Sequence, residues 1–289
     1  MIRRKRKPSG PRLRLAATLW SLLHHPTSKR EWSLARKMKA VAAAGFEGVQ
    51  AAFNPEIGEL ARGHGLALIG AFDADDPARF NDQVSQLKTA GAIVANVQVA
   101  EHDTSLEETL RYTLEVMAAG KRHGLGLQIE THRGTATETP EKFDSLASAY
   151  HQATGELLPV TWDHSHFAVT KHMRAEDFSR RLLTNTQLIG HSRLLHCRPF
   201  NGHHCQIALT DSRGRRTPEY RAWLLFARDL FATWISAAPA SAELWVVVEQ
   251  GSHLSGYNLS VFNAPWTDAL VCAGDLQRIW DDLTSAKFS

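Results

Sequence analysis

The chain has 289 residues, of which 43% are hydrophobic, 8% are aromatic and 22% are charged. This composition is typical of a globular protein with a full core, and it excludes wholesale disorder, collagen-like repeats and coiled coil. No apolar run reaches the ~18–20 residues of a membrane helix, and the N-terminus lacks the pattern of a signal peptide, so we expect a cytoplasmic protein without a membrane partner.

The formal net charge of +3 is concentrated at the N-terminus. Residues 1–12 hold six basic side chains and no acid, which leaves 27 basic and 30 acidic side chains in the rest of the chain. We predict a short, disordered basic arm at residues 1–12, followed by one folded domain at residues 13–289. Because the body of this domain is slightly acidic, nucleic acid is not expected as a partner. The three cysteines, an odd number, are expected to be free thiols.

Eight short apolar runs alternate along the chain with longer amphipathic segments. The predicted strands are residues 13–19, 48–53, 66–72, 93–100, 125–130, 159–163, 193–197 and 244–249. The clearest predicted helices between them are residues 32–44, 106–123, 140–154 and 218–237. In these helices apolar residues recur at three- and four-residue spacing, so each one presents a single apolar face to a sheet.

Eight such alternations in a chain of this length favour a (β/α)8 barrel, for which ~250 residues is typical. The alternative is a doubly wound open sheet, which would be expected to carry a glycine-rich phosphate turn. Neither G-x-G-x-x-G nor G-x-x-x-x-G-K-[ST] occurs in the sequence, and no linker rich in Pro, Gly or Ser divides it. We therefore predict an α/β protein whose single domain is a (β/α)8 barrel.

In such a barrel the active site lies at the carboxyl ends of the strands. The last four predicted strands each carry a side chain there that is able to bind a metal, namely Glu130, Asp163, His196 and Glu249. A carboxylate at the end of a buried strand is costly unless a cation or hydrogen bonds neutralise it. We predict that these residues form one ring around a divalent metal ion. Mn2+, Mg2+, Co2+ and Zn2+ are all compatible with three carboxylates and one imidazole.

Four segments around these residues carry a family resemblance. They are IETHRGT at residues 129–135, WDHSH at 162–166, LHCR at 195–198 and VVVEQ at 246–250. In them the chain resembles the xylose isomerase-like TIM barrel superfamily, specifically the sugar phosphate isomerase/epimerase group. The resemblance implies that Glu130, Asp163, His196 and Glu249 bind one divalent metal ion and that the two glutamates also act as acid and base. It further implies that His166 points at a substrate oxygen.

The resulting prediction is a divalent-metal-dependent isomerase or epimerase acting on a sugar or a sugar phosphate. One glutamate would remove a proton next to a carbonyl, and the other would return it after a metal-stabilised enediolate has formed. A small-molecule carbohydrate is the expected partner, and the oligomeric state is left open. Further substrate contacts are predicted at Arg198, His132, Trp20 and His102. Arg198 is equally compatible with orienting Asp163 or Glu249.

Three alternative functions use the same scaffold. An inosose dehydratase-like lyase would keep the metal and the proton abstraction but eliminate water. An endonuclease IV-like nuclease needs further ligands that are mostly missing, since strand two ends in Phe53 and Asn54 where that enzyme has histidine. A catalytically inactive binding barrel would have no reason to keep three acids at strand ends.

The segment at residues 199–218 is long for a connection between a strand and a helix. It contains His203, His204 and Cys205. We interpret these residues as part of a polar, exposed lid. A second metal site is the alternative, although their spacing matches no strong zinc pattern.

Overall fold

The computed structural model describes the backbone of residues 10–288 and the side chains of residues 10–285. Eight strands form a closed parallel barrel in which each strand pairs with the next along the chain and β8 pairs with β1. The strands are β1 Arg12–Thr18, β2 Gly48–Ala51, β3 Ala67–Ala74, β4 Ala92–Val99, β5 Gly126–Glu130, β6 Val160–Trp162, β7 Leu194–Cys197 and β8 Glu243–Val248. The predicted (β/α)8 barrel is confirmed.

Ten α-helices are present in this described part of the chain. They are α1 Leu34–Ala43, α2 Ile57–Gly63, α3 Pro77–Thr89, α4 Leu106–His123, α5 Pro140–Thr154, α6 His164–Thr170, α7 Phe178–Leu182, α8 Thr186–His191, α9 Pro218–Ala237 and α10 Pro265–Phe288. Helices α4, α5 and α9 have the bounds predicted from the apolar spacing. Helix α1 begins two residues later than predicted, because the side chain of Ser33 caps it by accepting the N–H of Arg36.

Local signals at the helix ends explain these bounds. Helix α4 follows Ser105, whose hydroxyl accepts the N–H of Glu108, and it ends at Gly124 in the left-handed region at φ 63°. Helices α5 and α9 both have proline in the first turn, where its missing N–H is not needed. The chain therefore leaves each of these helices at a point from which the next strand can enter the barrel.

The barrel interior contains an apolar cluster separate from the larger core between barrel and helices. Its buried members are Ala16, Ile69, Leu194 and Val247, with Val94 and Trp245 packed against them. Side chains alternate between the two faces of a strand, so residues two positions further along each strand also point into the barrel. By this alternation His196 and Glu249 point into the mouth of the barrel at its carboxyl end.

Strand register extends this inward-facing set to the first half of the barrel. The paired positions that continue the inward phase are Thr18 with Gln50, Ala71 with Asn96, and Asp73 with Gln98. Paired residues on neighbouring strands face the same side of the sheet. The mouth of the barrel is therefore lined by polar side chains from the early strands as well as from the late ones.

The predictions for the N-terminal arm, the cysteines and membrane helices can be compared with the structure in part. Residues 1–9 of the predicted arm lie outside the described residues, and Arg12, its last residue, begins β1. All three cysteines are free and buried, as expected. In the described residues no helix is long and apolar enough to cross a membrane.

Candidate metal centre

The four predicted ligands lie together at the carboxyl end of the barrel. One donor atom each from Glu130, Asp163, His196 and Glu249 falls within 4.8 Å of the others. Their exposed fractions run from 0% for Asp163 to 8% for Glu249, so the group is buried. Three carboxylates in a buried position require compensating positive charge, which makes this group able to hold a metal ion.

His196 is oriented by a residue that the sequence analysis did not identify. Its Nε2 lies 2.8 Å from Oε1 of Gln50, on β2 across the barrel. An amide oxygen only accepts hydrogen bonds, so Nε2 donates to Gln50 and Nδ1 is the nitrogen that faces the acids of the centre. Nδ1 lies 2.9 Å from Oε1 of Glu130 and 3.0 Å from Oε2 of Glu249.

The environment of Nδ1 tests whether a metal fits this site. Nδ1 of His196 is buried and has no hydrogen-bond partner, although two carboxylates lie next to it. Two carboxylates this close to Nδ1 require a positive charge between them, which either a proton on Nδ1 or a metal ion bound to Nδ1 supplies. One imidazole nitrogen and three carboxylates suit Mn2+, Mg2+, Co2+ or Zn2+, so the residues fit a divalent ion.

The two acids on β5 and after β6 are held by neighbouring strands. Asn96 donates from Nδ2 to Oε2 of Glu130 over 2.6 Å. Asp163 was predicted to end the sixth strand, but it follows β6 and caps α6. There its Oδ1 accepts the N–H of Ser165 over 2.9 Å. Its backbone N–H and C=O both bond to the hydroxyl of Thr131. These contacts leave the other oxygens of both acids directed at the centre.

Arg198 is almost fully buried, with 1% exposed, and it contacts the ring directly. Its Nη2 donates to Oδ2 of Asp163 and to Oε2 of Glu249, the latter over 3.3 Å. This geometry favours the interpretation that Arg198 orients the two carboxylates. Its Nε and Nη1 have no hydrogen-bond partner. The guanidinium lies 4.5 Å from the ring centre of Tyr257, so cation–π attraction stabilises it there.

The charges of the centre shift one another's pKa values. Burial alone would raise the pKa of each carboxyl, but the charge of His196 lowers that of Glu130 to about 2. Burial is likewise outweighed at Asp163, where Arg198 holds the pKa well below its usual range, and Arg198 also lowers the pKa of Glu249. Despite burial, Glu249 and Glu130 raise the pKa of His196 well above its usual value. All three carboxylates are therefore ionised at neutral pH.

A cavity of about 700 Å³ opens onto this centre. Glu130, His196 and Glu249 line it, whereas Asp163 and Arg198 lie outside its lining. Its apolar wall comes from the first three strands and the segments after them, and it includes Leu19, Trp20, Leu23, Leu34, Phe53 and Phe72. A second cavity, of about 620 Å³, lies at the opposite end of the barrel and contains none of the four ring residues.

The predicted substrate contacts differ in their placement. Trp20 and His132 line the cavity. His166 lies behind them, fully buried, with its ring centre 3.9 Å from that of His132 and its Nε2 3.3 Å from Oδ2 of Asp163. Burial lowers the pKa of His166 to about 4, so this ring is neutral at pH 7.

His102 is not brought to the cavity. It lies in an exposed turn after β4 and is not among the lining residues. Its carbonyl oxygen accepts a hydrogen bond from Nζ of Lys142 over 2.5 Å. The turn after β4 leads outward to α4, and this placement is at variance with the predicted substrate contact.

Tyr257 was not identified from the sequence. It lies in the segment after β8, and its ring meets that of Trp20 edge-on at 4.9 Å. Gly251 allows this approach, because a Cβ there would lie 2.9 Å from both Trp20 and Tyr257. The guanidinium of Arg133 also lies near this ring, 4.9 Å from the ring centre of Tyr257. The segment after β8 therefore covers the candidate metal centre on the side where Arg198 lies.

The segment between β7 and α9 is more deeply packed than the predicted exposed lid. His203 and His204 are exposed, but Cys205 is 4% exposed and lies beneath the surface. The thiol of Cys205 lies 3.7 Å from the carbonyl oxygen of Ser165 and 3.8 Å from Nδ1 of His166. Within the described residues, the four-residue ring is the one group that meets the geometry of a metal site, and His203, His204 and Cys205 form none.

We expect Arg198→Gln to destabilise the metal-free protein, because it leaves two buried carboxylates without their cation. Loss of one partner of a buried pair costs on the order of 3 kcal/mol in the free energy of unfolding. Urea unfolding with and without Mg2+ measures this, and we expect Mg2+ to restore more stability to the variant than it adds to the wild type. Arg215→Gln, at an exposed pair with Asp211, is the matched control and should destabilise the protein far less, because solvent screens that pair. Equal losses of unfolding free energy in both variants would contradict the interpretation that Arg198 compensates the charge of the two buried carboxylates.

No protein-family model and no curated protein sequence matches the chain. Solved structures are similar to it in fold. An L-ribulose 3-epimerase superposes with a TM-score of 0.65 at 13% identity, covering 95% of this chain and 97% of that one. A D-allulose 3-epimerase from Methylomonas sp., in complex with D-allulose, has a TM-score of 0.60 at 12% identity, covering 95% and 98%.

A third similar structure is a xylose isomerase-like TIM barrel protein from Mycobacterium smegmatis in complex with magnesium. Its TM-score is 0.52 at 14% identity, with 87% of this chain and 88% of that one covered. At such identities the similarity concerns the fold. The resemblance stated from the sequence is therefore confirmed in fold, since one of these neighbours is a xylose isomerase-like TIM barrel protein.

Proposed function

We propose that the protein is a divalent-metal-dependent isomerase or epimerase of a small carbohydrate. The observation that carries this proposal is the buried ring of Glu130, Asp163, His196 and Glu249, which opens onto a cavity of about 700 Å³. That volume lies within the range of small-molecule sites. The fold similarity to sugar epimerases supports the same substrate class by analogy.

The metal is proposed to be held by the four ring residues, three of which reach the cavity. A bound divalent cation would supply the positive charge that stabilises an oxygen anion developing on the substrate. Gln50 and Asn96 would keep His196 and Glu130 in the orientations seen here, because each makes a short hydrogen bond to one of them.

Proton transfer is assigned to Glu130 and Glu249. Both line the cavity, from β5 and from the end of β8, and both are ionised at neutral pH. One carboxylate takes the proton from the carbon next to the substrate carbonyl, and the electron pair of that C–H bond forms the carbon–carbon double bond of an enediolate. The other carboxylate first takes up a proton from water and then gives it to the opposite face, which gives an epimer, or to the adjacent carbon, which gives an isomer, while the first carboxylate releases its proton to water. The direction of reaction and the substrate determine which glutamate starts.

The remaining residues bind and orient. Trp20 would offer an aromatic wall on which a sugar face packs, and the ring of His132 would contact the sugar from the cavity wall. His166, neutral and behind His132, would fix the position of that ring. Arg198 would hold Asp163 and Glu249 in place from behind.

The test is solvent exchange. Protein stripped of metal and reloaded with Mn2+, Co2+, Mg2+ or Zn2+ is incubated in D2O with a panel of ketoses, their phosphate esters and inososes. We expect deuterium at the carbon next to the carbonyl of at least one compound, dependent on the metal. No exchange with any compound and any metal would overturn the proposal, and a product lighter by one water would indicate a lyase.

A further inference from the structure

The cavity described above has a wall that the proposed chemistry does not use, two residues further along the strands than Ala71 and Asn96. It is built by the carboxyl ends of β3 and β4, where Asp73 and Gln98 are register partners that line the cavity side by side. Neither side chain has a hydrogen-bond or ion-pair partner within the described part of the chain. Two adjacent polar groups without partners on a cavity wall are available to a ligand.

The charge of this wall is negative. Among the residues that line the cavity, Lys37 is the one lysine or arginine, and its ammonium is paired with Glu31. Arg133 and Arg198 lie outside the lining. No lysine or arginine of the cavity lining is therefore free to pair with Asp73, and the histidine that acts on it electrostatically is His132. Partial burial and the neighbouring carboxylate of Asp75 raise the pKa of Asp73, whereas His132 lowers it.

This distribution decides between two kinds of carbohydrate. A phosphate ester is bound by arginine, lysine or several N–H donors, and the wall offers no free cation for it. A hydroxyl donates to a carboxylate and accepts from an amide, and Asp73 with Gln98 supplies both. The same carboxylate repels a phosphate group that enters the cavity.

Resting on the proposed function, we propose that Asp73 is a specificity-determining residue that, with Gln98, binds the hydroxyl groups of an uncharged sugar and excludes its phosphate esters. The substrate class is therefore a free monosaccharide or polyol ketone. Asp73 acts on substrate binding, and the proton transfer is carried out by Glu130 and Glu249.

The experiment compares two probes that differ by one phosphate, D-fructose and D-fructose 6-phosphate. Binding to the full chain loaded with Mg2+ is measured by saturation-transfer NMR, and deuterium exchange is measured separately. We expect the wild type to bind D-fructose at least about tenfold more tightly than the ester, a ratio that corresponds to one unfavourable charge contact. Asp73→Asn should lower this ratio at least about threefold, by the same argument.

Two further variants control the interpretation. Asp73→Glu keeps the charge and should keep the preference. Asp75→Asn removes the same charge two residues further along, from an exposed side chain that is outside the cavity lining, and should leave the ratio unchanged. Circular dichroism and the thermal midpoint of each variant check that it is folded.

The outcomes separate this inference from the proposed function. Tighter or equal binding of the ester, undetectable binding of both probes, or a ratio unaffected by Asp73→Asn would overturn the role of Asp73. Selective binding of D-fructose without deuterium exchange in any sugar would support the role of Asp73 while contradicting the isomerase. Deuterium exchange restricted to phosphate esters would support the isomerase and contradict the role of Asp73.

Discussion

Glu249→Gln is expected to lower metal-dependent deuterium exchange by roughly 10²–10⁴-fold, the range found for loss of a general acid or base. The amide keeps the size of the side chain and a ligand oxygen but cannot take a proton. Glu249 is 8% exposed and borders the cavity, so substrate can reach it without a change in the fold. Glu130→Gln should have an effect of similar size, since proton removal and return need both carboxylates.

The matched control lies on the same strand. Glu243→Gln makes the same chemical change at the opposite end of β8, where Glu243 pairs with Arg12 and Arg14 at the surface. This variant should exchange at the wild-type rate. Metal content measured on the same samples separates loss of chemistry from loss of metal. Exchange by Glu249→Gln within about tenfold of the wild type, with metal bound, would contradict the role of Glu249 as acid or base, since general catalysis contributes more than this.

The fold was predictable from the sequence because barrel strands and helices have different apolar periods. Strands β1 to β8 were each found within a few residues, and the ring was found because Glu130, His196 and Glu249 interrupt apolar runs near their carboxyl ends. A charged residue at such a point is conspicuous against the run that precedes it. Asp163 was found too, although it caps α6 and does not end a strand.

The residues that orient the ring were missed because their signal is weaker. Gln50 and Asn96 are uncharged amides within apolar runs, whereas the predicted site residues lie at or just after strand ends. The usable signal is the phase: both amides fall on the inward-facing positions that register places beside Thr18 and Ala71. That phase is known only once the pairing between neighbouring strands is known, so the sequence alone does not mark the two amides.

Contacts made by loops could not be read from the sequence at all. Tyr257 stacks on Arg198 because the chain turns back over the barrel after β8, and no periodic pattern describes that turn. His102 was placed at the mouth because it follows β4 closely, but one residue of difference in a turn decides whether a side chain points into the barrel or away from it. Loop geometry follows from tertiary packing, which local patterns do not record.

His196→Ala is expected to abolish binding of the divalent cation. The wild type should hold about one ion per chain, and at a hundredfold excess over the dissociation constant this ion should stabilise the fold by about 3 kcal/mol. For a domain of this size that is a rise in the thermal midpoint of roughly 5–10 °C. The variant should show neither the ion nor the rise, because it loses the one nitrogen ligand and the partner that faces both glutamates.

Elemental mass spectrometry and thermal unfolding of protein prepared without chelators measure the two effects. Gln50→Ala should give an intermediate result, with affinity for the ion lowered about 10–100-fold, as is usual when a residue that orients a ligand is removed. His191→Ala, at an exposed histidine that lines the cavity at the other end of the barrel, should bind the ion as the wild type does. A His196→Ala protein that still holds one ion per chain would show that the ion is bound elsewhere. Two or three ions in the wild type would contradict a single-metal centre and favour the nuclease alternative.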